Sequence, residues 1–306
     1  MHNSKTKPPK MIDSHNSECF KTVNLSDFAL FLSVMKEKEA YQCILSIILN
    51  EPDLEIIEVN VEKITLNKSE LRAIRLDAWA SDRHKRQFAM EMQNDSNSDF
   101  IPKRARYYQG LLDSPILKAG KDTKYRYLPT TAIIFITQKD IFDKDLAMYT
   151  FVEKCNEADD LYLEDGTKKI FLNMTSLNGS DELISLLQYM KNSTINNPEI
   201  IVHDERIKTL DRIVSEVKES EEWEELSMNL VEQGIEKGIE IGKARGIAEG
   251  KARGIAEGIY ELLTEIGKVT DDLRDKIMSE NNLPILTKWL KLAARSESID
   301  EFMTHM

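Results

Sequence analysis

Two acidic residues, Asp77 and Glu91, combine residue type and spacing in a way that could support chemistry. They lie in two short alternating runs, 74–79 and 88–93, that flank a polar stretch at 81–85. Such runs on either side of a polar turn predict an antiparallel hairpin. Because side chains alternate faces along a strand, a hairpin centred near His84 would place Asp77 directly across from Glu91, and a shift of one residue would put them on different faces.

Strict alternation also assigns faces to the first run. It predicts one face formed by Ile74, Leu76, Ala78 and Ala80, and an opposite face formed by Arg75, Asp77 and Trp79. Trp79 would then either wall a pocket around the acidic pair or simply pack in the core. In the second run, Gln93 points the same way as Glu91.

Two carboxylates held side by side repel each other unless a cation neutralises them. Mg²⁺ prefers oxygen ligands, takes one or two protein carboxylates and fills the rest of its octahedron with water and phosphate oxygens. The pair could therefore hold a divalent cation. The alternative interpretation is a pair of solvated strand residues without a ligand, and spacing alone leaves both open.

The order of motifs around this pair resembles a known family. Asp77, then Glu91 to Gln93 on the next strand, then a basic helix are similar to the core of the PD-(D/E)XK nuclease superfamily, and especially to the Rpn-type recombination-promoting nucleases, also called PD-(D/E)XK nuclease family transposases. The matching text is Arg-Leu-Asp at 75–77, Glu-Met-Gln at 91–93 and Pro-Lys-Arg-Ala-Arg-Tyr-Tyr-Gln at 102–109, with further similarity at 132–136, 149–151 and 165–173. The resemblance covers about residues 30–260.

The resemblance implies a restriction-endonuclease-like α/β fold and an endodeoxyribonuclease that depends on Mg²⁺ or Mn²⁺, with a role in recombination or in a mobile element. It implies that Asp77 and Glu91 are metal ligands, with the backbone carbonyl of Met92 as a third. Related nucleases often place a further acid near the start of the first long helix, where it reaches the metal through water. Glu39 occupies that region, and a surface glutamate is the alternative interpretation.

The usual superfamily lysine, two residues after the glutamate, is Gln93 in this chain. Glutamine can orient a water but carries no positive charge. The resembled Rpn-type proteins commonly have glutamine there too, and a cation from the following helix could compensate. Arg104 and Arg106 are the candidates for that cation, and Lys103 is a weaker one.

The same helix is the expected nucleic-acid-binding element, through Lys103, Arg104, Arg106 and Tyr108. Arg104 and Tyr108 are four residues apart and share a helix face. Tyr107 and Tyr108 could instead pack in the core, because adjacent helix residues do not face the same groove.

The charge distribution favours a local phosphate-binding surface. The whole chain carries a formal charge of −12, which argues against a protein that coats nucleic acid with its entire surface. Residues 72–126, however, contain twelve Lys or Arg against seven Asp or Glu. This excess predicts a phosphate-binding face there, although basic side chains that only solvate the surface would look the same.

Composition also indicates the cellular compartment of the protein. The three cysteines are far apart without a CxxC pair, which indicates a reducing compartment and no structural zinc. The first residues lack the apolar segment of a signal peptide, and no run approaches the roughly 20 apolar residues that span a bilayer. We therefore expect a cytoplasmic protein with no membrane partner.

The chain divides into five expected segments. They are a disordered tail at 1–22, a nuclease-like core at 23–202, a connecting helix at 203–225, a low-complexity helix at 226–260 and a small helical cap at 261–306. Within the core we expect helices at 25–49, 102–117 and 182–191, an edge strand or extended connection at 53–65, the hairpin, and strands at 130–137, 148–153 and 168–174. This order predicts a mixed sheet with helices on both sides.

The low-complexity helix has glycine at every fourth position from 234 to 258. Each glycine costs about 1 kcal/mol relative to alanine in a helix interior, so this helix should either pack closely against a partner or fray. A homo-oligomer formed through it and a repeat without function both remain open.

Together these features predict a metal-dependent DNA endonuclease. The alternative is an inactive nuclease fold that binds nucleic acid or self-associates as a scaffold.

Overall fold

The computed structural model describes residues 22–65, 74–94, 100–117 and 124–306. The chain divides after Glu224 into two compact units. The first unit contains helices α1 (Phe28–Met35), α2 (Lys38–Leu49), α3 (Ile101–Asp113), α4 (Asp181–Lys191) and α5 (Glu205–Lys218), and strands β1 (Ile56–Thr65), β2 (Ile74–Asp82), β3 (Gln87–Gln93), β4 (Thr131–Thr137), β5 (Met148–Phe151) and β6 (Thr167–Asn173). A 3₁₀ turn at Tyr125–Tyr127 precedes β4.

Six described strands form one sheet in the order β1-β2-β3-β4-β6-β5. The β3–β4 and β4–β6 pairs are parallel and the other pairs are antiparallel. Every residue of β4 is buried, because this apolar strand lies in the middle of the sheet with helices on both faces. The predicted fold class, a restriction-endonuclease-like mixed sheet flanked by helices and followed by C-terminal helices, is confirmed.

Each face of the sheet has its own hydrophobic core. Along β4, Ile134 and Ile136 point into a large cluster that includes residues of α1, α2, α4 and α5. Ile133 and Phe135 point the other way, into a smaller cluster with α3. The helical pattern at 25–49 is two helices, α1 and α2, separated at Lys36 and Glu37.

The predicted alternation along the first hairpin strand is wrong at Asp77. Ile74 and Leu76 pack in the cluster on the α3 side, whereas Ala78 and Ala80 pack in the opposite cluster. The β1–β2 pairing skips this position, and the β1 residue opposite it, Glu62, has a left-handed φ of 51°. The strand therefore changes faces at Asp77.

This change of face decides the role of Trp79. Its side chain is 5% exposed and packs in the α3-side cluster, and its Nε1–H donates to Gln87 Oε1 at 3.2 Å. Of the two interpretations left open, the structure places this tryptophan in the core.

The segment 203–225 was expected to connect the core to the C-terminal part, but its residues up to Glu224 belong to the first unit. Within α5, Ile207, Leu210, Ile213 and Val214 are buried in the large cluster, and Trp223 is 4% exposed in the same cluster. Their spacing of three and four residues places them on one helix face. The first unit therefore ends at Glu224, next to the expected end of the connecting helix at residue 225.

The second unit contains most of α6 (Glu221–Ile266), together with α7 (Asp271–Ser279), α8 (Leu283–Ala293) and α9 (Ile299–His305). Its core is a separate cluster formed by Ala252, Ala256, Ile259, Leu263, Leu273, Ile277, Leu286, Trp289, Ala293 and Phe302. Thr270 caps α7 by accepting from the Leu273 amide at 3.4 Å.

The glycine-rich part of α6 is a continuous, exposed helix. A Cβ added at any glycine from Gly234 to Gly254 would meet nothing within 4 Å, and at Gly258 it would contact only Leu290 Cδ1 at 3.7 Å. Close packing within the chain therefore does not require glycine at these positions. Over the ranges that the structure describes, no helix has both the length and the apolar character needed to cross a bilayer.

Candidate active site

The predicted acidic pair meets at the end of the β2–β3 ladder. Ala78 pairs with Met90, so the same register carried one residue further puts Asp77 across from Glu91. At this position the hydrogen bonds between β2 and β3 run from backbone amides to side-chain carboxylates. The Asp77 amide donates to Glu91 Oε1 at 3.0 Å, and the Met92 amide donates to Asp77 Oδ2 at 3.0 Å. Each carboxylate is thus held against the neighbouring strand.

Helix α3 brings a guanidinium to this pair. Arg104 Nη2 donates to Glu91 Oε2 at 2.8 Å, and its Nη1 donates to Gln93 Oε1 at 2.7 Å. The third donor, Nε, donates to the Tyr108 hydroxyl at 2.8 Å. The guanidinium carbon also lies 5.3 Å from the centre of the Phe135 ring. A planar fork with three anchored donors gives Arg104 a fixed orientation that a lysine could not reproduce.

Burial makes this pair electrostatically costly. Glu91 is fully buried and Asp77 is 8% exposed. Burial raises the pKa of Glu91, and the neighbouring Asp77 carboxylate raises it further, while Arg104 opposes the shift. Burial also raises the pKa of Asp77 against the opposing effects of the Met92 amide and Arg104. One guanidinium does not fully compensate two ionised carboxylates, so the site favours an additional positive charge.

The donor set fits a divalent ion that keeps several non-protein ligands. In the parts of the chain that are described, no group of three or more His, Cys, Asp or Glu residues could hold a metal ion. Asp77 and Glu91 would therefore need other oxygens to complete a coordination shell. Mg²⁺ is commonly bound by one or two carboxylates with water and phosphate oxygens in the remaining positions.

The Met92 carbonyl is in a suitable place to be one of these oxygens. The Gln87 amide donates to Thr130 O beside β4, and backbone groups alternate between the two neighbouring strands along β3. Met92 accordingly directs its amide to Asp77 on the β2 side. Its carbonyl lies on that same side of β3.

Glu39 does not join the pair. It is exposed near the start of α2, and its Oε2 accepts from Arg212 Nη2 at 2.8 Å. Of the two interpretations of this residue, the structure agrees with a surface glutamate.

The other predicted residues of α3 separate into two groups. Lys103 and Arg106 are exposed on the helix surface, where they can meet a ligand. Tyr108 is 8% exposed, and its hydroxyl is bonded to Arg104. The expectation that Tyr108 contacts nucleic acid is therefore corrected, because its ring is packed in the core at 6.2 Å from Phe135. Tyr107 is 38% exposed.

Three further residues contribute to the site without a signal in the sequence. Phe135 lies beside Glu91 through the parallel β3–β4 pairing, which the sequence did not specify. Tyr41, fully buried on α2, donates its hydroxyl to Phe88 O at 3.1 Å. Burial and, second, the charge of Glu91 raise the pKa of Tyr41. Glu62 is the β1 residue at the skipped position.

Comparison with protein-family models matched one family, described as PD-(D/E)XK nuclease family transposase, over residues 26–232. Comparisons with curated proteins and with solved structures gave no match. The matched region covers most of the chain and includes the sheet, Asp77, Glu91 and α3. The chain therefore belongs to the PD-(D/E)XK nuclease family transposases.

Proposed function

We propose that this protein is an endodeoxyribonuclease that depends on a divalent metal ion. Asp77 and Glu91 hold the ion together with the Met92 carbonyl, and Arg104 supplies the positive charge that Gln93 lacks. The observation that carries this proposal is the bonded group at the end of the β2–β3 ladder, in which Arg104 contacts both Glu91 and Gln93.

The electrostatics of the pair support a metal ion. Two buried carboxylates with raised pKa values accept a divalent cation readily, because it offsets both the burial of charge and the repulsion between them. A bound Mg²⁺ or Mn²⁺ ion lowers the pKa of water and neutralises developing charge on phosphoryl oxygens.

The remaining residues position charge around the reacting phosphate. Arg104 is permanently protonated and offers donors with the fork geometry that suits phosphate oxygens. Tyr108 fixes the orientation of that guanidinium through its hydroxyl. Gln93 is held in place by Arg104 through its Oε1, and we assign it the role of orienting a water beside the acidic pair.

DNA is the substrate most consistent with the family and with the local charge. Lys103 and Arg106 are exposed on the helix that carries Arg104, so they can contact phosphates on either side of the cut. Breaks made in DNA in this way would promote recombination or the movement of a mobile element.

The test is nicking of supercoiled plasmid by the purified full-length protein in Mg²⁺ or Mn²⁺. We expect nicking by the wild type, none in EDTA, and loss of activity in Asp77→Ala. The matched control is Asp53→Ala, because Asp53 is an exposed acid. Equal nicking by wild type and Asp77→Ala would refute the assignment of the site.

A second candidate is an inactive nuclease fold that binds DNA. The observation in its favour is that Arg104 already partly neutralises Glu91, so the pair can persist without an ion. This candidate predicts DNA binding that weakens with salt, with no cleavage in any divalent metal.

The exposed part of α6 supports a further proposal, a homo-oligomer formed through this helix. Four isoleucines are more than half exposed there: Ile235, Ile239, Ile241 and Ile247. Neighbouring glycines leave room for a close approach. Light scattering of Ile239→Lys with Ile247→Lys should give a smaller particle than the wild type, and an unchanged mass would refute this assembly.

A further inference from the structure

The exposed face of α3 is basic and aromatic. Lys103, Arg106, Tyr107 and Gly110 are all exposed, and their spacing of three and four residues places them on one side of the helix. The acidic residue of α3, Asp113, accepts from Gln109 Nε2 at 3.0 Å. This face therefore presents positive charge to solvent over its first half, beside Arg104.

Gly110 leaves part of this face flat. Glycine weakens a helix interior relative to alanine, and a Cβ at this position would meet nothing within 4 Å. Packing within the chain therefore gives no reason for glycine here, whereas a ligand lying along the helix could approach closely at this point.

A second basic and aromatic segment lies beyond the helix. In the sequence Lys124-Tyr125-Arg126-Tyr127, all four residues are exposed, and Tyr125 and Tyr127 are 84% and 59% exposed. Hydrogen bonds from Tyr127 N to Lys124 O and from Leu128 N to Tyr125 O, both 3.0 Å, hold the backbone in a 3₁₀ turn. The turn thus presents its rings to solvent in a defined conformation.

The topology orders these two segments along the sheet. Because β3 and β4 are parallel, α3 runs back along the sheet from the end of β3 toward the start of β4. Arg104 at its beginning contacts Glu91, and residues 124–127 come shortly before β4. The path along the 13-residue helix is about 20 Å, which corresponds to about six nucleotides of stacked single strand.

We propose that the exposed face of α3 and residues 124–127 form a track for single-stranded DNA that continues from the scissile phosphate. Lys103, Arg106, Lys124 and Arg126 contact phosphates, and unpaired bases stack on Tyr125 and Tyr127. Basic side chains alone would bind the phosphates of a duplex equally well. Exposed rings beside them match unpaired bases, because the bases of a duplex are already stacked on one another. This proposal rests on the proposed nuclease function and specifies a substrate with an unpaired strand next to the cut.

The test measures DNA binding by the full-length protein in EDTA, so that cleavage does not interfere. Fluorescence anisotropy would compare a labelled 12-nucleotide single strand with a 12-base-pair duplex. For Tyr125→Ala with Tyr127→Ala we expect about tenfold or greater weakening on the single strand and less than about twofold on the duplex. Tyr125→Phe with Tyr127→Phe should bind as the wild type does, because the ring remains.

The matched control is Tyr162→Ala, since Tyr162 is 49% exposed and lies outside the track. Unchanged single-strand binding in the double alanine variant, or equal weakening on both DNA forms, would overturn the track. If the wild type nicks plasmid and the double alanine variant binds single-stranded DNA as tightly as the wild type does, only the track fails. If the wild type neither binds nor cleaves DNA, both the track and the nuclease proposal fail.

Discussion

Replacing Arg104 by methionine should reveal how strongly the buried glutamate depends on its partner. Arg104 donates to Glu91, Gln93 and Tyr108, while Glu91 is fully buried. Methionine keeps most of the aliphatic stem but removes the guanidinium. Glu91 would then retain only the Asp77 amide as a donor in the described contacts.

The size of the effect follows from the burial of the two partners. Removing one partner of a buried ion pair costs about 3–5 kcal/mol. The Arg104 side chain is 25% exposed, so we expect the lower end, about 3 kcal/mol of unfolding free energy, for the metal-free protein near pH 9.5, where Glu91 is ionised in the wild type. When Glu91 is protonated, the lost interaction is an ordinary hydrogen bond worth about 1 kcal/mol.

The pH dependence has a defined sign. Arg104 lowers the pKa of Glu91, so its removal raises that pKa further above the ordinary value of a glutamate. Between the unfolded and folded pKa values, the folded state then holds a proton that the unfolded chain has released. Stability therefore falls as pH rises through that window. Because burial already raises the pKa of Glu91 to about 8 in the wild type, both proteins lose stability in parallel below that pH, and the gap between wild type and Arg104→Met should widen from pH 7 to pH 9.5.

Urea unfolding in EDTA, followed by circular dichroism at both pH values, measures this directly. The matched control is Arg106→Met, because Arg106 lies on the same helix but is exposed, and we expect it to change stability by less than about 0.5 kcal/mol. Equal effects of the two substitutions, or a gap that does not grow with pH, would show that Arg104 does not compensate a buried charge.

Other substitutions test neighbouring parts of the structure. Because burial raises the pKa of Asp77, Asp77→Asn should raise the unfolding free energy of the metal-free protein at pH 8 by about 2 kcal/mol. The control Asp53→Asn should leave it unchanged. An unfolding free energy of Asp77→Asn below that of the wild type, measured in urea, would contradict this. Tyr108→Phe removes the acceptor of the Arg104 Nε donor, so nicking should slow while the melting temperature falls by only a few degrees, and unchanged nicking would exclude a positioning role. Gly238→Ala and Gly246→Ala each fill open space on α6. Helix content should rise, and the free energy of unfolding measured in thermal unfolding should rise by about 1 kcal/mol per substitution. A decrease in that free energy would indicate a close contact at the substituted glycine.

The hairpin could be predicted from local pattern because its information is local. Two alternating runs and a polar turn define both the strands and the register. The observed pairing of Ala78 with Met90 has that register. The buried central strand β4 and the cap at Thr270 also depend on nearby residues only.

Other features depended on contacts between distant segments. The change of face at Asp77 arises where the pairing with β1 is interrupted at Glu62, which no periodicity within β2 encodes. The placement of residues 203–224 in the first unit depends on α5 packing on helices far earlier in the chain. Glu39 could not be separated from a metal-site acid until Arg212 was seen to bind it.

The sequence by itself determined the acidic pair, its register and the basic helix that follows, because strand alternation and helix spacing operate over a few residues. Only the tertiary structure decided which cation meets the pair. Arg104, rather than Arg106, reaches Glu91 and Gln93, since α3 packs with one face on the sheet and leaves the other in solvent. That choice depends on how a helix is rotated against a sheet, and the rotation is set by the whole apolar interface between them.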